Sequence, residues 1–315
     1  TVILPMSEGP TLISHGGDPL PPAPPVWAAY GAKECISLPF IPTLNWSHRM
    51  DAEAAVKTLK RLKVKSIGFV NKGMIAASLT EYIQDQLPTV TLHDATDLVD
   101  EIKAVKSEEE LALIRKTIEM QDIMWGATLS LIRPGVREYE IRSEIKRLLT
   151  NMGSEEQLIM MGSAPAGSPA GHKPSFFQNR TLEYGDQIMV MIEVNGLGGF
   201  YGEIGRTICL GEAPKSMLQA WDDALELQDR TAEMMKPGAV PTELFDANNR
   251  LLKKKGYMAE GRLFAHGQGY DLVERPGIRP EEKMTIKRGM VMAIHPITLS
   301  KKAYAFCCDN FLVTN

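Results

Sequence analysis

The most regular hydrophobic pattern predicts a β-hairpin in the middle of the chain. Gln187 to Val194 is an apolar, β-branched run of strand length, and Phe200 to Cys209 has the pattern of a returning strand. Asparagine and glycines between the two runs indicate a turn. Because side chains alternate along a strand, Met191 and Glu193 share one face of the first strand. Glu203 lies on the second strand, so the two carboxylates either face each other or are separately solvated.

The first 103 residues alternate strand and helix signals, which predicts a small α/β domain. Short apolar runs indicate strands, and apolar residues at helical spacing indicate helices. Beyond an opening pair of strands, the predicted elements are a helix over Asp51–Leu62, a strand over Ser66–Val70, a helix over Ala76–Leu87 and a strand over Thr89–Leu92.

Residues 104–315 are predicted to form a second, α+β domain. Ser107 and Glu110 have the spacing of a capping box ahead of a long amphipathic helix that ends near Ile132. Three further helices are predicted over residues 139–153, 214–235 and 242–256, with strands elsewhere. The opening segment Thr1–Leu4 already has a strand pattern.

Composition narrows the class of protein without identifying it. The chain is 44% hydrophobic and 23% charged, which is typical of a globular enzyme. A formal net charge of -4 gives no reason to expect a nucleic-acid partner, and the sequence shows neither a membrane span nor a signal peptide. The four cysteines lack metal-site or redox spacing, so we expect reduced thiols and a cytoplasmic location.

Four ordered motifs in the second domain resemble the creatinase/aminopeptidase/prolidase family. The resemblance implies a pita-bread fold, a curved antiparallel sheet with helices on its outer side, preceded by a creatinase-type N-terminal domain. It covers at least residues 104–315. Members of the family have a further strand and helix before the strand at Thr1–Leu4, so the resemblance implies that this sequence begins inside the first domain, and we treat both of its ends as incomplete. The motifs are Gly185-Asp186 with Phe200 to Thr207, Ala265-His266-Gly267-Gln268-Gly269, Arg288 to Pro296, and Asp309 to Thr314.

This sequence keeps some of the family's metal-ligand residues and replaces others. Met191 stands where the family has its first ligand Asp, Glu203 stands at the second ligand position, and His266 stands at the family His. His295 replaces a Glu, and Cys308 aligns with the last Glu. A dinuclear site needs bridging carboxylates, which Met191 cannot supply.

Two interpretations of the site follow from these changes. The dimethylsulfoniopropionate lyase branch of the family has a carboxylate at the position of Glu193, which would complete a site for one Zn, Fe or Mn ion with Glu203, His266 and His295. Creatinase works without metal, and a His that replaces a bridging Glu suits proton transfer. We favour the interpretation without a cofactor.

The resemblance also implies roles for residues outside this set. His172 lies in a glycine- and proline-rich loop at the position of the creatinase acid–base His. Cys308 is either a buried, inert thiol or a nucleophile beside His295 in the substrate-binding site, and either Cys308 or Asp309 faces inward. Arg49, in a polar loop, is either solvated or binds a substrate carboxylate in the partner subunit of a homodimer. The family's second His is Val273 here, which argues against ordinary peptide hydrolysis.

We therefore predict a homodimeric, creatinase-like hydrolase that cleaves a C–N bond in a small molecule without metal. His172, Glu203, His266 and His295 would be catalytic, and Glu193, Arg49 and Cys308 would bind substrate. One alternative is a metal-dependent Xaa-Pro peptidase or lyase with an altered mononuclear site. The other is an inactive binding module, which the clustered titratable residues disfavour.

Overall fold

The computed structural model describes residues 1–15, 29–39, 41, 43–172 and 179–314. It divides the chain into two compact units, Thr1–Val99 and Asp100–Asn315. The sequence pattern predicted this boundary after residue 103. The difference arises from a helix that the pattern did not reveal, which begins at Thr96 in the first unit and ends at Ala104 in the second.

The first unit has an α/β arrangement. Strand β1 is antiparallel to β2, β2 is parallel to β3, and β4 is parallel to β5. The described elements are β1 (Val2–Ile3), β2 (Thr11–His15), β3 (Glu34–Leu38), α1 (His48–Arg61), β4 (Ser66–Phe69), α2 (Ala77–Gln86), β5 (Thr91–Asp94) and α3 (Thr96–Ala104). Ile13, Ala55, Leu59, Phe69 and Ile83 pack together in its core.

Helix α1 begins three residues earlier than the sequence predicted. A 3-10 turn over Asn45–Ser47 leads directly into the helix, and the Ser47 hydroxyl donates to the carbonyl oxygens of Ile41 and Leu44 at 2.7 Å. Arg49 therefore lies in the first turn of α1, which corrects its assignment to a loop. Its guanidinium carbon lies 4.9 Å from the centre of the Tyr82 ring.

Four helices lie entirely in the described part of the second unit: α4 (Glu108–Leu131), α5 (Glu138–Asn151), α6 (Lys215–Met234) and α7 (Pro241–Lys254). The capping box predicted for α4 is present. The Ser107 side chain accepts from the Glu110 backbone N–H, and the Glu110 carboxylate accepts from the Ser107 backbone N–H. None of the described helices could span a lipid bilayer.

The strands of the second unit are antiparallel. They form a sheet in the order β6-β7-β8, a sheet in the order β10-β9-β11-β14, and the pair β12-β13. Their bounds are β6 (Gln157–Ala164), β7 (Gln187–Asn195), β8 (Tyr201–Cys209), β9 (Ala265–Gly267), β10 (Glu274–Gly277), β11 (Val291–Ile294), β12 (Ile297–Leu299), β13 (Tyr304–Phe306) and β14 (Asp309–Leu312).

Strand β7 separates two different environments, as its alternating side chains require. Ile188, Val190 and Ile192 pack with residues of α4 and α5 on the outer face of the sheet. Met189 and Met191 point to the opposite face. There they form an interior cluster with Ala293, Tyr304, Phe306 and Cys308. We call this side of the sheet the interior face, and it carries the candidate site.

Candidate active site

Two buried carboxyl groups lie side by side on the interior face. Glu193 of β7 and Glu203 of β8 are directly paired across the two strands, and they are 3% and 2% exposed. The facing arrangement, rather than two separately solvated carboxylates, is therefore the one in this structure. Paired positions on adjacent strands bring side chains close together, so the two groups interact electrostatically.

Two histidines of the neighbouring sheet lie close to Glu203. His266 lies on β9 opposite Ala293 of β11, and His295 follows the end of β11. Their rings are 5.1 Å apart between centroids. Glu203, His266 and His295 are all buried, and one potential ligand atom of each lies within 4.8 Å of the others. The structure thus brings together three of the four residues that the sequence named as a possible ion site.

A hydrogen bond determines how His266 faces Glu203. His266 Nδ1 lies 2.8 Å from the carbonyl oxygen of Gly267, which can only accept, so Nδ1 carries a proton. His266 Nε2 then faces Glu203 Oε2 at 3.6 Å. A lone pair on Nε2 would oppose the carboxylate, so a cation belongs between the two atoms, either a proton on Nε2 or a metal ion.

The residues fit one metal ion better than two. Met191 is buried on the interior face, and a thioether cannot bridge two cations as a carboxylate does. Zinc ligands lie about 2.1 Å from the ion, so two of them are roughly 3.4–3.6 Å apart. The Glu203–His266 separation agrees with that spacing, and His295 Nδ1 is buried without a hydrogen-bond partner among the described residues.

The two carboxyl groups differ in their preferred charge. Burial raises the pKa of Glu193 to about 10, and the negative charge of Glu203 adds to this effect. Burial also raises the pKa of Glu203, but protonated His295 and the contact with His266 outweigh it and lower the value to about 2, although burial itself lowers the pKa of His295 to about 4. Gln268 Nε2 donates to Glu193 Oε1 at 2.8 Å and fixes its position. Glu193 therefore holds a proton while Glu203 is ionised.

His172 lies close to this cluster and is neutral. Burial is the main reason that its pKa falls to about 3, and the charges of Arg262 and His295 lower it further. The His172 ring packs edge-on against Phe306 with 4.6 Å between centroids, and Phe306 also packs against His295. The Tyr304 hydroxyl lies 2.5 Å from His172 Nδ1. Since a phenol is the better donor of the two, Tyr304 donates and leaves the proton of His172 on Nε2.

The other residues that the sequence analysis named lie in different environments. Cys308 is buried on the interior face, and burial raises its pKa well above the usual value, so the thiol is not a ready nucleophile. Asp309 instead accepts from Arg206 and Gln228. Arg49 belongs to the first unit. Val273 is 47% exposed.

Sequence reasoning missed several residues that shape the site. Arg262 is 44% exposed, and Glu260 holds its guanidinium at 2.7 Å. Its positive charge contributes to lowering the pKa values of His172, His295 and Tyr304. No motif in the sequence indicates a role for Arg262 or Tyr304, because a single Arg or Tyr outside a motif is common in any protein. Gln268 was visible only as the variable position of a motif.

Comparisons with known proteins agree with this architecture. The sequence profile of metallopeptidase family M24 matches residues 112–315. The chain belongs to metallopeptidase family M24. This confirms the resemblance to the creatinase/aminopeptidase/prolidase family, and it identifies the protein as a hydrolase of C–N bonds.

Relatives and solved structures extend the match beyond that region. An Xaa-Pro dipeptidase from Pyrococcus furiosus is 27% identical over 252 residues, which are 77% of this chain and 70% of the relative. A creatinase from a Bacillus species is 24% identical over 245 residues, 73% of this chain and 58% of that protein. The crystal structure of an X-Pro aminopeptidase from Thermotoga maritima aligns with a TM-score of 0.80 at 20% identity, over 98% of this chain and 82% of that one. The predicted fold is confirmed.

Proposed function

We propose that this protein hydrolyses a C–N bond in a small, carboxylate-bearing molecule at the Glu203/His266/His295 cluster. The observation that carries the proposal is the convergence of these three buried donors, with Phe306 in contact with both His295 and His172. Relatives of this chain are named Xaa-Pro dipeptidase and creatinase, and Arg262 offers a guanidinium for the carboxylate of the substrate.

The residues of the chain have distinct tasks in this proposal. His172 is neutral above pH 3, so it donates a hydrogen bond from Nε2 to the substrate atom that gains negative charge, rather than acting as a general acid. Glu203 is ionised and accepts a proton from the attacking water. Glu193, which is protonated, holds that water by donating to it. The water oxygen bonds to carbon, the C–N bond breaks, and the leaving nitrogen takes the proton that Glu203 had accepted from the water.

A single metal ion suits the same three donors, Glu203, His266 and His295. When bound, it would polarise the substrate and lower the pKa of water. No comparison supports the metal-independent reaction that the sequence favoured, although a proton on His266 would also fill the gap to Glu203. The metal-dependent and the metal-independent reaction at this site differ in whether activity requires a bound metal ion.

Mass-spectrometric screening of the purified protein tests the proposal. The panel contains Xaa-Pro dipeptides, amidines, cyclic amides and betaines, assayed before and after exhaustive chelation. We expect hydrolysis of at least one compound, about one equivalent of bound metal, and loss of both on chelation. Activity that survives complete metal removal would establish the metal-independent version. Failure of the metal-loaded protein to turn over any compound would contradict a hydrolase and support a binding module.

We also propose that the protein forms a symmetric homodimer in the cytoplasm, where its four free thiols would remain reduced. In such a dimer Arg49, which is exposed, would bind the carboxylate of a substrate held by the partner subunit. Sedimentation velocity and the substrate affinity of Arg49→Ala test these two statements separately. A stable, active monomer would exclude the dimer, whereas an unchanged KM in the variant would exclude only the role of Arg49.

A further inference from the structure

The side chain of Asn310 is hydrogen-bonded to the backbone of Glu203. Its Nδ2 donates to the carbonyl oxygen of Glu203 at 2.6 Å, and its Oδ1 accepts from the backbone N–H of Glu203 at 3.3 Å. The thiol of Cys308 is a second and weaker donor to the same carbonyl oxygen, at 3.9 Å. One half-buried carboxamide on β14 thus binds both backbone polar groups of the residue that carries the ionised carboxylate of the site.

A side chain makes these bonds because the backbone pairing between β8 and β14 is short. Gly205 and Cys308 form an isolated antiparallel bridge, in which each backbone N–H donates to the carbonyl oxygen of the other residue, at 3.2 and 2.9 Å. Continuing that register by two residues places Asn310 opposite Glu203. Strands β8 and β14 belong to separate sheets, however. The carboxamide of Asn310 therefore takes the place of the next pair of backbone bonds between them.

The direction of these bonds also accounts for the closeness of the two carboxyl groups. The N–H and C=O of one strand residue point to the same side of the strand, so Glu203 directs both toward Asn310 and away from β7. Its pair with Glu193 is then of the kind that exchanges no backbone hydrogen bonds, in which the side chains lie closer together. Asn310 is therefore part of the arrangement that lets Glu193 and Glu203 interact.

The neighbouring sheet connects Asn310 to His266. Ala293 of β11 is paired with His266 on one side and with Asn310 on the other. Directly opposite residues in a sheet have their side chains on the same face, so His266 and Asn310 share the face of Ala293. Asn310 holds the backbone of Glu203, while His266 Nε2 faces Glu203 Oε2 at 3.6 Å. The same sheet therefore contacts Glu203 at its backbone and at its carboxylate.

We infer that Asn310 is a positioning residue for Glu203. Its carboxamide holds this part of β8 where the carboxylate of Glu203 lies beside His266 and His295. Without the carboxamide, the carboxylate moves out of that position. A displacement of about 1 Å can cost roughly a hundredfold in rate. The inference rests on the proposed function where it concerns turnover, whereas the position of Glu203 can be measured independently of any reaction.

Crystal structures of the wild type and of Asn310→Leu test the positioning itself. Leucine has a similar size but neither donates nor accepts, so the backbone N–H and C=O of Glu203 lose the carboxamide. We expect the separation between Glu203 Oε2 and His266 Nε2, which is 3.6 Å, to grow by at least about 1 Å.

Asn249→Leu is the matched control for this variant. Asn249 is also half-buried, and its carboxamide makes the same pair of bonds to the backbone of Glu260, with Nδ2 donating at 3.2 Å and Oδ1 accepting at 2.6 Å. Both substitutions should lower the midpoint of urea unfolding by similar amounts. Only Asn310→Leu should change the separation between Glu203 and His266, since a role in stability alone would leave that separation unchanged in both variants.

Kinetics on the substrate found by screening tests the effect on turnover. Asn310→Leu should lower kcat by at least about tenfold with a smaller change in KM, because it displaces a group that acts on the reacting atoms. In protein that already carries Glu203→Gln, the same change should cost less than about threefold, since no ionised carboxylate is left to position. Full activity of Glu203→Gln alone would contradict the proposed function, and the crystal structures would still decide the positioning role.

Two results would overturn the inference. One is a Glu203–His266 separation in Asn310→Leu equal to that of the wild type. The other is an equal fold loss of kcat from Asn310→Leu in the wild-type and Glu203→Gln backgrounds, which would show that the two residues act independently. If Asn310→Leu does not fold, Asn310→Asp replaces it. The ionised carboxylate is similar in size but cannot donate to the carbonyl oxygen of Glu203, so the separation should again increase, and an unchanged value would overturn the inference.

Discussion

Glu193 and Glu203 are directly paired on β7 and β8, and both of their carboxyl groups are buried on the same face of the sheet. Two like charges so close together in a buried site cannot both be ionised at low cost, so the pair shares a proton near neutral pH. The histidines beside Glu203 decide which member keeps the negative charge. Glu193 and Glu203 are the same amino acid, but this difference in charge gives them different roles.

Substitution by glutamine should affect the two glutamates unequally. Glu193→Gln replaces a protonated carboxyl with a neutral group of similar shape, so we expect kcat/KM to fall less than about tenfold. Glu203→Gln removes the ionised carboxylate and should lower kcat/KM by about a hundredfold or more. Steady-state kinetics on the substrate found by screening measures both. Equal losses would show that Glu193 must be ionised for the reaction.

His172→Ala should lower kcat by about a hundredfold or more without unfolding the protein, since it removes a hydrogen bond to the reacting group. Tyr304→Phe keeps the ring of His172 but removes the hydroxyl next to Nδ1, so its loss of activity should be smaller. Circular dichroism checks the fold of both variants. Near-normal turnover of His172→Ala would remove this residue from the mechanism.

The ring nitrogens of His172 give an independent measure of its charge. Because burial lowers its pKa to about 3, ¹⁵N NMR at pH 6 should show the neutral ring with its proton on Nε2. A ring protonated on both nitrogens at pH 6 would contradict the assignment of His172 as a neutral hydrogen-bond donor and would restore its role as a general acid.

Gly205→Ala should disturb the site through Phe306. A Cβ atom at position 205 would overlap the buried Phe306 ring, which packs against both His172 and His295. We expect a loss of about 1–3 kcal/mol in the free energy of unfolding, together with reduced kcat. Urea denaturation and kinetics measure the two effects. Adding Phe306→Leu should recover part of the stability but not the activity.

Gly126→Ala is the matched control for that variant. Gly126 lies in α4 and is exposed, and a Cβ atom added there would meet no described atom within 4 Å outside its own helix turn. Alanine at this position should raise the free energy of unfolding by roughly 0.5–1 kcal/mol through its higher helix propensity. A wild-type stability for Gly205→Ala would show that the interior cluster can rearrange around Phe306.

Glu282 makes stability depend on pH in the acid range. Burial raises its pKa, but hydrogen bonds from Arg275 and from the backbone N–H groups of Met284 and Gly277 outweigh burial and lower it to about 2. A lowered carboxylate pKa stabilises the fold above the unfolded value of 4.5, and this contribution is lost as pH falls toward 2. Glu282→Gln should therefore cost about 1–3 kcal/mol at pH 7.

The pH dependence separates this effect from a general loss of packing. The difference in unfolding free energy between wild type and Glu282→Gln should shrink as the pH falls from 4.5 toward 2. Glu281→Gln, at a side chain that is 73% exposed, is the control and should change little at any pH. A difference for Glu282→Gln that stays constant down to pH 2 would exclude the ionised carboxylate as its cause.

The sequence by itself determined the local structure of this protein, because local structure depends on patterns that lie within a few residues. The capping box at Ser107 and Glu110 and the alternation along Gln187–Val194 were both readable before the structure. The order of the glycine-rich motifs also determined the family. The sequence pattern did not predict helix α3, and it placed the start of α1 too late in the chain. Short, polar helix ends give only weak sequence signals.

Only the tertiary structure decided the chemistry of the site. Glu203, His266 and His295 are far apart in sequence. The antiparallel pairing of β9 with β11 brings the two histidines together, and the bridge between Gly205 and Cys308 joins β8, which carries Glu203, to the segment before β14. The pKa values of Glu193, Glu203, His172 and His295 depend on burial, which no local pattern specifies.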